Sequence, residues 1–418
     1  MTSVVLGVTG GIAAYKAVEL LRSLRESGLD VTVVPTQAAL RFVGEPTWAA
    51  LSGNPVAVDV WTSTDRVRHV SLGQNADLVV VAPATADFLA RASHGMASDL
   101  LTNVLLTAHC PVIVAPAMHT EMWEHPATKA NVATLRSRGV IVLEPAVGRL
   151  TGADSGPGRL PDPERIADLA LDVVRRSALG APVTADLVGV RVVISAGGTR
   201  EPWDDVRFLG NRSSGKQGFA LIRTALSRGA EVTAVVGSVD EPIPAGCSVV
   251  RVSTAEQMRE AMHAVVAEQS PQILVMAAAV ADFRPANTPA GKITKEGLTE
   301  GRVPDLPLER TPDVLAELVA KRGSSAIPLI VGFAAEAPSP DENLADRARA
   351  KLTRKGCDYL VANAITDGAV FGQDSTSIVI VGVDGLEVDV VDVDKTDAAH
   401  ALWDTLAPSL RSRMGSDR

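Results

Sequence analysis

Aromatic side chains make up only 3% of this 418-residue chain, too few for the stacking platforms on which single-stranded nucleic acid is bound. Positive charge is also scarce: 40 Lys and Arg against 49 Asp and Glu leave a formal charge of −9. No Lys/Arg-rich face stands out, so neither nucleic acid nor acidic membrane is an expected partner. Cysteine occurs three times, at Cys110, Cys247 and Cys357, far apart in sequence. That pattern suggests neither a disulfide framework nor a Cys-pair zinc site, and it fits a reducing cytoplasm. No apolar run approaches the length of a membrane span, and the opening "MTSVVLGVTGG" has no basic n-region, so a cytoplasmic protein is expected. Only "RSRMGSDR" is locally basic, and it reads as a frayed tail.

What is present is apolar and periodic. Hydrophobic residues reach 46%, enough for sizeable cores, and the length implies two or three domains. "VVLGVTGGIAAYKAVELLRSLRESGLDVTVVPT" reads as strand, Gly turn, amphipathic helix, Gly stop and strand. Near residue 190 the plan returns in "VRVVISAGGTRE" and "GFALIRTALSRGAEVTAVVG". The expected architecture is α/β, with two Rossmann-like parallel-sheet domains. Further strands are expected at 76–84, 110–117, 272–279, 328–335 and 357–364, and a helix at 163–177. Residues 376–395 should form a hairpin turning at Asp384-Gly385, followed by a final helix. The Gly/Pro-rich stretch 286–310 reads as an antiparallel excursion from the second sheet. Boundaries are placed at 1–180 and 190–408, with a linker at 181–189 and a tail at 409–418.

Gly10-Gly11, between strand and helix, puts backbone N–H groups at the carboxyl edge of a sheet, where phosphates bind. The full G-x-G-x-x-G is absent, and "VVPTQAA" lacks the acidic residue that grips a dinucleotide ribose. FMN suits these facts better than NAD, and a simple tight turn remains the alternative. "HTEMWEH" has neither metal-ligand spacing nor a nearby Cys pair, which argues against metal here. His69, opening a helix before a buried strand, reads either as a surface or capping group or as a general base.

Residues 210–217, "GNRSSGKQ", have P-loop spacing, but Gln217 stands where a hydroxyl should meet Mg²⁺, and the preceding strand ends far upstream. On its residues alone the segment is either a polar surface turn or a phosphate cradle of another kind.

Taken together, "TGGIAAYKA", "RHVSLGQNADLVVVAPATADFLARASHGMASDLL", "VIVAPAMHTEMW" and "GPGRLPDPE" resemble the flavin-containing cysteine decarboxylases over nearly all of residues 1–175. The resemblance implies an N-terminal flavoprotein decarboxylase fold in which Gly10, Gly11, Thr36, Thr85, Ser98 and Asp99 hold FMN. His69 would be the active-site base, and Met118 and His119 would lie in the segment gripping the substrate carboxylate. Hydride transfer from the cysteinyl Cβ to flavin would create the electron sink that lets CO₂ leave. Two departures stand out. His119 replaces an Asn of the family motif, and "GRLTGADSGPGR" lacks the loop Cys that supplies the final proton.

"SAGGTREPWDDVRFLGNRSSGKQGFALI" resembles the phosphopantothenate–cysteine ligases, and "AAAVADFRP", "TPDVL", "VGFAAE" and "KLTRKGCDYLVAN" extend the match over roughly 190–400. The whole chain thus resembles the fused bacterial coenzyme A biosynthesis proteins. That implies a C-terminal ligase fold using 4′-phosphopantothenate, L-cysteine, CTP and Mg²⁺. Lys292 would neutralise the transferring phosphate, Asn211 would orient the acyl intermediate, and Arg207 would assist the anionic substrate. Ser213, Ser214 and Gly215 would cradle phosphate. Met276, Ala277, Ala278, Asp282, Pro312, Val314, Leu315, Phe333, Lys351 and Lys355 match CTP positions, and Asp313 would face Mg²⁺. A homo-oligomer is implied, with trimers of the decarboxylase half linked by ligase dimers. Three other readings remain: a nicotinamide-dependent oxidoreductase, a flavin-binding regulator, and a ligase whose decarboxylase half has drifted to another cysteinyl substrate.

Overall fold

The computed structural model describes residues 2–58, 68–149, 155–181, 185–288, 291–293, 306–337, 342–364 and 373–415. Internal contacts divide the chain into two units, Met1–Ala185 and Asp186–Arg418.

The first unit begins with β1 (Ser3–Val8), α1 (Lys16–Glu26), β2 (Asp30–Pro35), α2 (Glu45–Ser52), α3 (Arg68–Asn75) and β3 (Leu78–Ala84). It continues with α4 (Ala86–Ser93), α5 (Leu100–Thr107), β4 (Val112–Pro116), α6 (Thr120–Glu124) and α7 (Pro126–Ser137). It ends with β5 (Ile141–Val142), β6 (Ala146–Arg149), β7 (Ser155–Arg159) and α8 (Pro163–Ala178). The strands β2-β1-β3-β4-β5 form a parallel sheet, while β6 and β7 pair as an antiparallel ribbon. Parallel strands covered on both faces must be apolar throughout, which is why "LVVVAPA" is buried at every position. Alternate residues enter different cores. Val4, Leu6, Val80 and Ala82 pack with α1 and α8, whereas Val5, Val79 and Val81 pack with α4, α5 and α7. On α1 the residues Ala17, Leu20, Leu21 and Leu24 are buried, one stripe at helical spacing.

The second unit opens with β8 (Arg191–Ala196), β9 (Arg200–Pro202), β10 (Phe208–Gly210), α9 (Lys216–Ser227), β11 (Glu231–Val236) and β12 (Ser248–Arg251). Then come α10 (Ala255–Gln269), β13 (Ile273–Met276), β14 (Phe283–Pro285), β15 (Leu308–Arg310), α11 (Val314–Arg322) and β16 (Leu329–Glu336). The last elements are α12 (Leu344–Lys355), β17 (Tyr359–Ala364), β18 (Ser375–Gly382), β19 (Glu387–Asp394) and α13 (Lys395–Gly415). The main sheet runs β12-β11-β8-β13-β16-β17-β18-β19, parallel up to β17 and antiparallel through the last two pairings. The expected hairpin is β18–β19. Antiparallel pairing of β14 with β15 forms the base of the excursion, whose residues 289–290 and 294–305 lie outside the described set.

Two expectations at the unit edges are corrected. The tail does not fray at 411: α13 continues to Gly415, because Arg413 donates to the buried Asp358 carboxylate at 2.9 Å and to Ala326 O at 3.0 Å. Residues 186–189 are not free linker either. Asp186 pairs with the buried Arg228, which also holds Asp404, and Leu187 lies in the second core.

Candidate active sites

In the first unit the chain leaves β1 toward β2 on one side and enters β3 on the other, so the strand order reverses between β1 and β3. Such a switch point leaves a crevice at the carboxyl ends of the strands. The loops there are stitched together by Thr9. Its hydroxyl donates to Pro83 O at 2.7 Å and accepts from the Thr85 amide at 3.0 Å. Thr85 then caps α4, accepting from the Phe88 amide at 3.3 Å. Thr36 is held from the β2 side, its amide donating to Val8 O at 2.9 Å. Gly10 is pressed against Ala38, which a Cβ would hit. Gly10, Gly11, Thr36 and Thr85 therefore gather at one edge.

Ser98 and Asp99 precede α5. Arg91 donates to Ser98 Oγ at 3.1 Å and to the Asp99 carboxylate at 2.5 Å, and Asp99 forms a capping box with Thr102. Burial pushes the Asp99 acid up, but the Arg91 and Thr102 hydrogen bonds outweigh it and hold the carboxyl below its usual range. This carboxylate is thus committed to protein partners.

His69 lies in the first turn of α3, half-buried. Its Nδ1 is buried with no hydrogen-bond partner among the described residues. A buried ring nitrogen is costly to leave unpaired, so the position suits a group that arrives with a ligand. Gly73, which sequence reasoning passed over, lets α3 lie close against α5 beside His69. A Cβ there would collide with Thr107 on α5, and the Thr107 hydroxyl donates to His69 O at 2.9 Å. A glycine inside a helix was the available signal, since it weakens the helix unless packing requires it.

Met118 is gripped by the "GPGR" strand: its amide donates to Gly158 O at 2.9 Å. His119 is the exposed N-cap of α6. The Cys-less loop at 150–154 lies outside the described residues. Cys110 stands just before β4, its thiol pushed up chiefly by burial.

The second unit repeats the switch-point logic between β8 and β13. Ser195 accepts from the Ala278 amide at 3.1 Å, and Thr199 accepts from the Ala281 amide at 2.9 Å. A cleft of about 1000 Å³ opens here. "GNRSSGKQ" forms one wall, between β10 and α9, and Asn211 is anchored to Val280 O at 3.0 Å. Gly215 caps α9 with φ +82°, a turn that lets its backbone bend into the helix without strain. Ser213, Ser214, Met276, Ala277, Ala278, Asp282, Pro312, Asp313, Val314, Leu315, Phe333, Lys351 and Lys355 all line the same cleft.

Two lysines of the cleft are held by carboxylates. Lys351 meets Glu336 at 2.9 Å, and Lys355 meets Asp313, which also caps α11 through the Ala316 amide at 3.1 Å. Burial pushes the Asp313 acid up, yet Lys355 and the cap hold it below its usual range. No three His, Cys, Asp or Glu groups converge as a metal site among the described residues. Sequence reasoning missed Lys216 and Lys395, which also line the cleft. Lys216 pairs with Asp374 at 2.7 Å, while burial and then Lys216 lower the Lys395 ammonium. Two expected residues are not in the lining. Lys292 is exposed, and the Arg207 guanidinium is committed to Asp204 and to Ile293 O.

Residues 1–175 match the Flavoprotein family, and 187–409 match the DNA/pantothenate metabolism flavoprotein C-terminal domain. The coenzyme A biosynthesis bifunctional protein CoaBC of Mycolicibacterium smegmatis is 52% identical over 99% of both chains. The chain belongs to the CoaBC family. The Escherichia coli K12 member is 40% identical, covering 92% of each chain. A crystal structure of a CoaBC C-terminal domain is 30% identical, with a TM-score of 0.44, covering 55% of this chain and all of that one. Like its family, the chain is a bifunctional coenzyme A biosynthesis enzyme, with a flavoprotein decarboxylase half and a ligase half. No helix among the described residues is long and apolar enough to cross a membrane.

Proposed function

We propose that the second unit joins 4′-phosphopantothenate to L-cysteine through a CTP-derived acyl-cytidylate, and that the first unit decarboxylates the product to 4′-phosphopantetheine with FMN. The observation that carries the ligase reading is the single cleft uniting the Asn211–Gly215 turn with residues 276–282, 312–315, Phe333, Lys351 and Lys355. Backbone amides entering α9 receive phosphate, Asn211 orients the acyl group, and Lys292 neutralises charge on the transferring phosphorus. Mg²⁺ arrives with the nucleotide, as it commonly does where a protein turns one of its carboxylates to the metal rather than building a cage. Asp313 is that carboxylate once Lys355 turns to the phosphates.

For the first unit, support comes from the Gly10, Gly11, Thr36 and Thr85 edge and from the His69 Nδ1, which has no partner among the described residues. These residues fit an FMN, which supplies a hydride acceptor. His69 takes the thiol proton, and the Met118-His119 segment holds the cysteinyl carboxylate. Three cysteines without a disulfide fit a cytoplasmic enzyme. The protein is a homo-oligomer in this reading, with trimers of the decarboxylase half joined by ligase dimers, and the exposed Ile12 and Tyr15 suit a subunit contact in the first unit.

The test supplies 4′-phosphopantothenate, cysteine, Mg²⁺ and either CTP or ATP, and reads product masses. 4′-Phosphopantetheine formed with CTP is the expected result. Arrest at phosphopantothenoylcysteine would leave the ligase reading standing and overturn the decarboxylase one.

A further inference from the structure

The turn between β9 and β10, "WDDVR", is built around a carboxylate that meets no solvent. The Asp204 side chain is 0% exposed. Its Oδ1 accepts from the Val206 and Arg207 amides at 2.8 and 2.7 Å. Its Oδ2 accepts from Arg207 Nε at 3.0 Å and from a terminal nitrogen of the same guanidinium at 2.5 Å. One further donor comes from 89 residues away, the amide of Ile293, at 3.1 Å. Arg207 completes the grip by donating to Ile293 O at 2.8 Å. Both backbone groups of one residue are therefore held by one ion pair, and that residue follows Lys292 directly. The pair is itself braced: the guanidinium lies over the Trp203 ring at 4.6 Å. Beside it, Thr288 donates to Pro202 O at 3.2 Å, so the same ribbon holds the chain on the other side of Lys292 as well.

An ion pair whose carboxylate is buried while its guanidinium stays partly in solvent is weak evidence for stability, because desolvating the carboxylate offsets the attraction. Its strength is geometric, since a bidentate guanidinium–carboxylate pair fixes direction as well as distance. Lys292 itself is exposed on a Gly/Pro-rich stretch, with nothing in its own local sequence to set its direction. We infer that Asp204, acting with Arg207 through the backbone of Ile293, is a positioning residue that fixes where the chain carries Lys292 for the ligation step. This rests on the reading of Lys292 as the group that neutralises the transferring phosphate. It also gives Arg207 a role that needs no contact with substrate. Asp204 remains ionised through the working range, because the Arg207 hydrogen bond holds its acid far below the usual carboxylate range.

The test is CTP-dependent ligation by the full-length protein, followed as pyrophosphate release. The variants are Lys292→Gln, Asp204→Asn, Arg207→Gln and the two doubles with Lys292→Gln. Misaiming a charge by about 1 Å costs on the order of 100-fold. Asp204→Asn and Arg207→Gln should each lower kcat by about 10- to 100-fold while leaving KM for CTP nearly unchanged. In the Lys292→Gln background neither should lower it further, because their effect passes through the lysine. Arg207→Gln keeps the backbone donors to Asp204, so it carries the comparison if Asp204→Asn fails to fold. A multiplicative loss in the doubles would overturn the inference and leave the role of Lys292 intact. Undiminished turnover by Lys292→Gln alone would instead overturn the reading of Lys292 on which it rests.

Discussion

Met118 and Gly158 are locked backbone to backbone: the Met118 amide donates to Gly158 O at 2.9 Å, and a Cβ on Gly158 would collide with Met118 O. Gly158 also sits at φ +151°, where a side chain is strained even in open space. This contact seats the "PAMHTEMW" segment. Gly158→Ala should cost about 1–3 kcal/mol in the first unit. It should depress decarboxylation of supplied phosphopantothenoylcysteine, with ligation unchanged. Parallel assays of the two half-reactions check this.

The proposed reaction assigns His69 as its general base. His69→Asn should slow decarboxylation by about 10²- to 10⁴-fold. The flavin absorbance of the purified protein should remain, since the residues expected to hold FMN are elsewhere. Full activity in that variant would reassign the base.

His119 stands where the resembled family carries an amide. Imidazole and amide both donate and accept, so His119→Asn should keep decarboxylation, while His119→Leu should lose it with raised KM for the cysteinyl substrate. Steady-state kinetics on the three proteins decides the matter.

Asp99 links charge to stability. Its folded acid lies below the unfolded value, so its contribution is present at pH above about 4 and is lost as pH falls toward the folded pKa. The gap in midpoint between wild type and Asp99→Asn should be full at neutral pH and shrink below about pH 4. Thermal release of flavin fluorescence across that range measures it.

Much of the architecture was legible locally. "PERIADLALDVVRRS" folded as the helix read from it, α8, and residues 376–395 as the hairpin of β18 and β19. The tail misled because the carboxylate that holds Arg413 belongs to Asp358, 55 residues away. "GNRSSGKQ" gave two local readings, and only its place between β10 and α9, on the wall of a cleft, favours the phosphate cradle.

The sequence by itself determined the periodic elements, the two sheets and the family, because burial pattern and long ungapped motifs are properties of neighbouring residues. Tertiary structure alone decided where the long-range partners fall. The grip of Asp204 on Ile293 joins residues 89 apart, and the collision that keeps Gly73 small comes from Thr107 on another helix. Such contacts depend on how separate elements pack against one another, which no stretch of sequence encodes within itself.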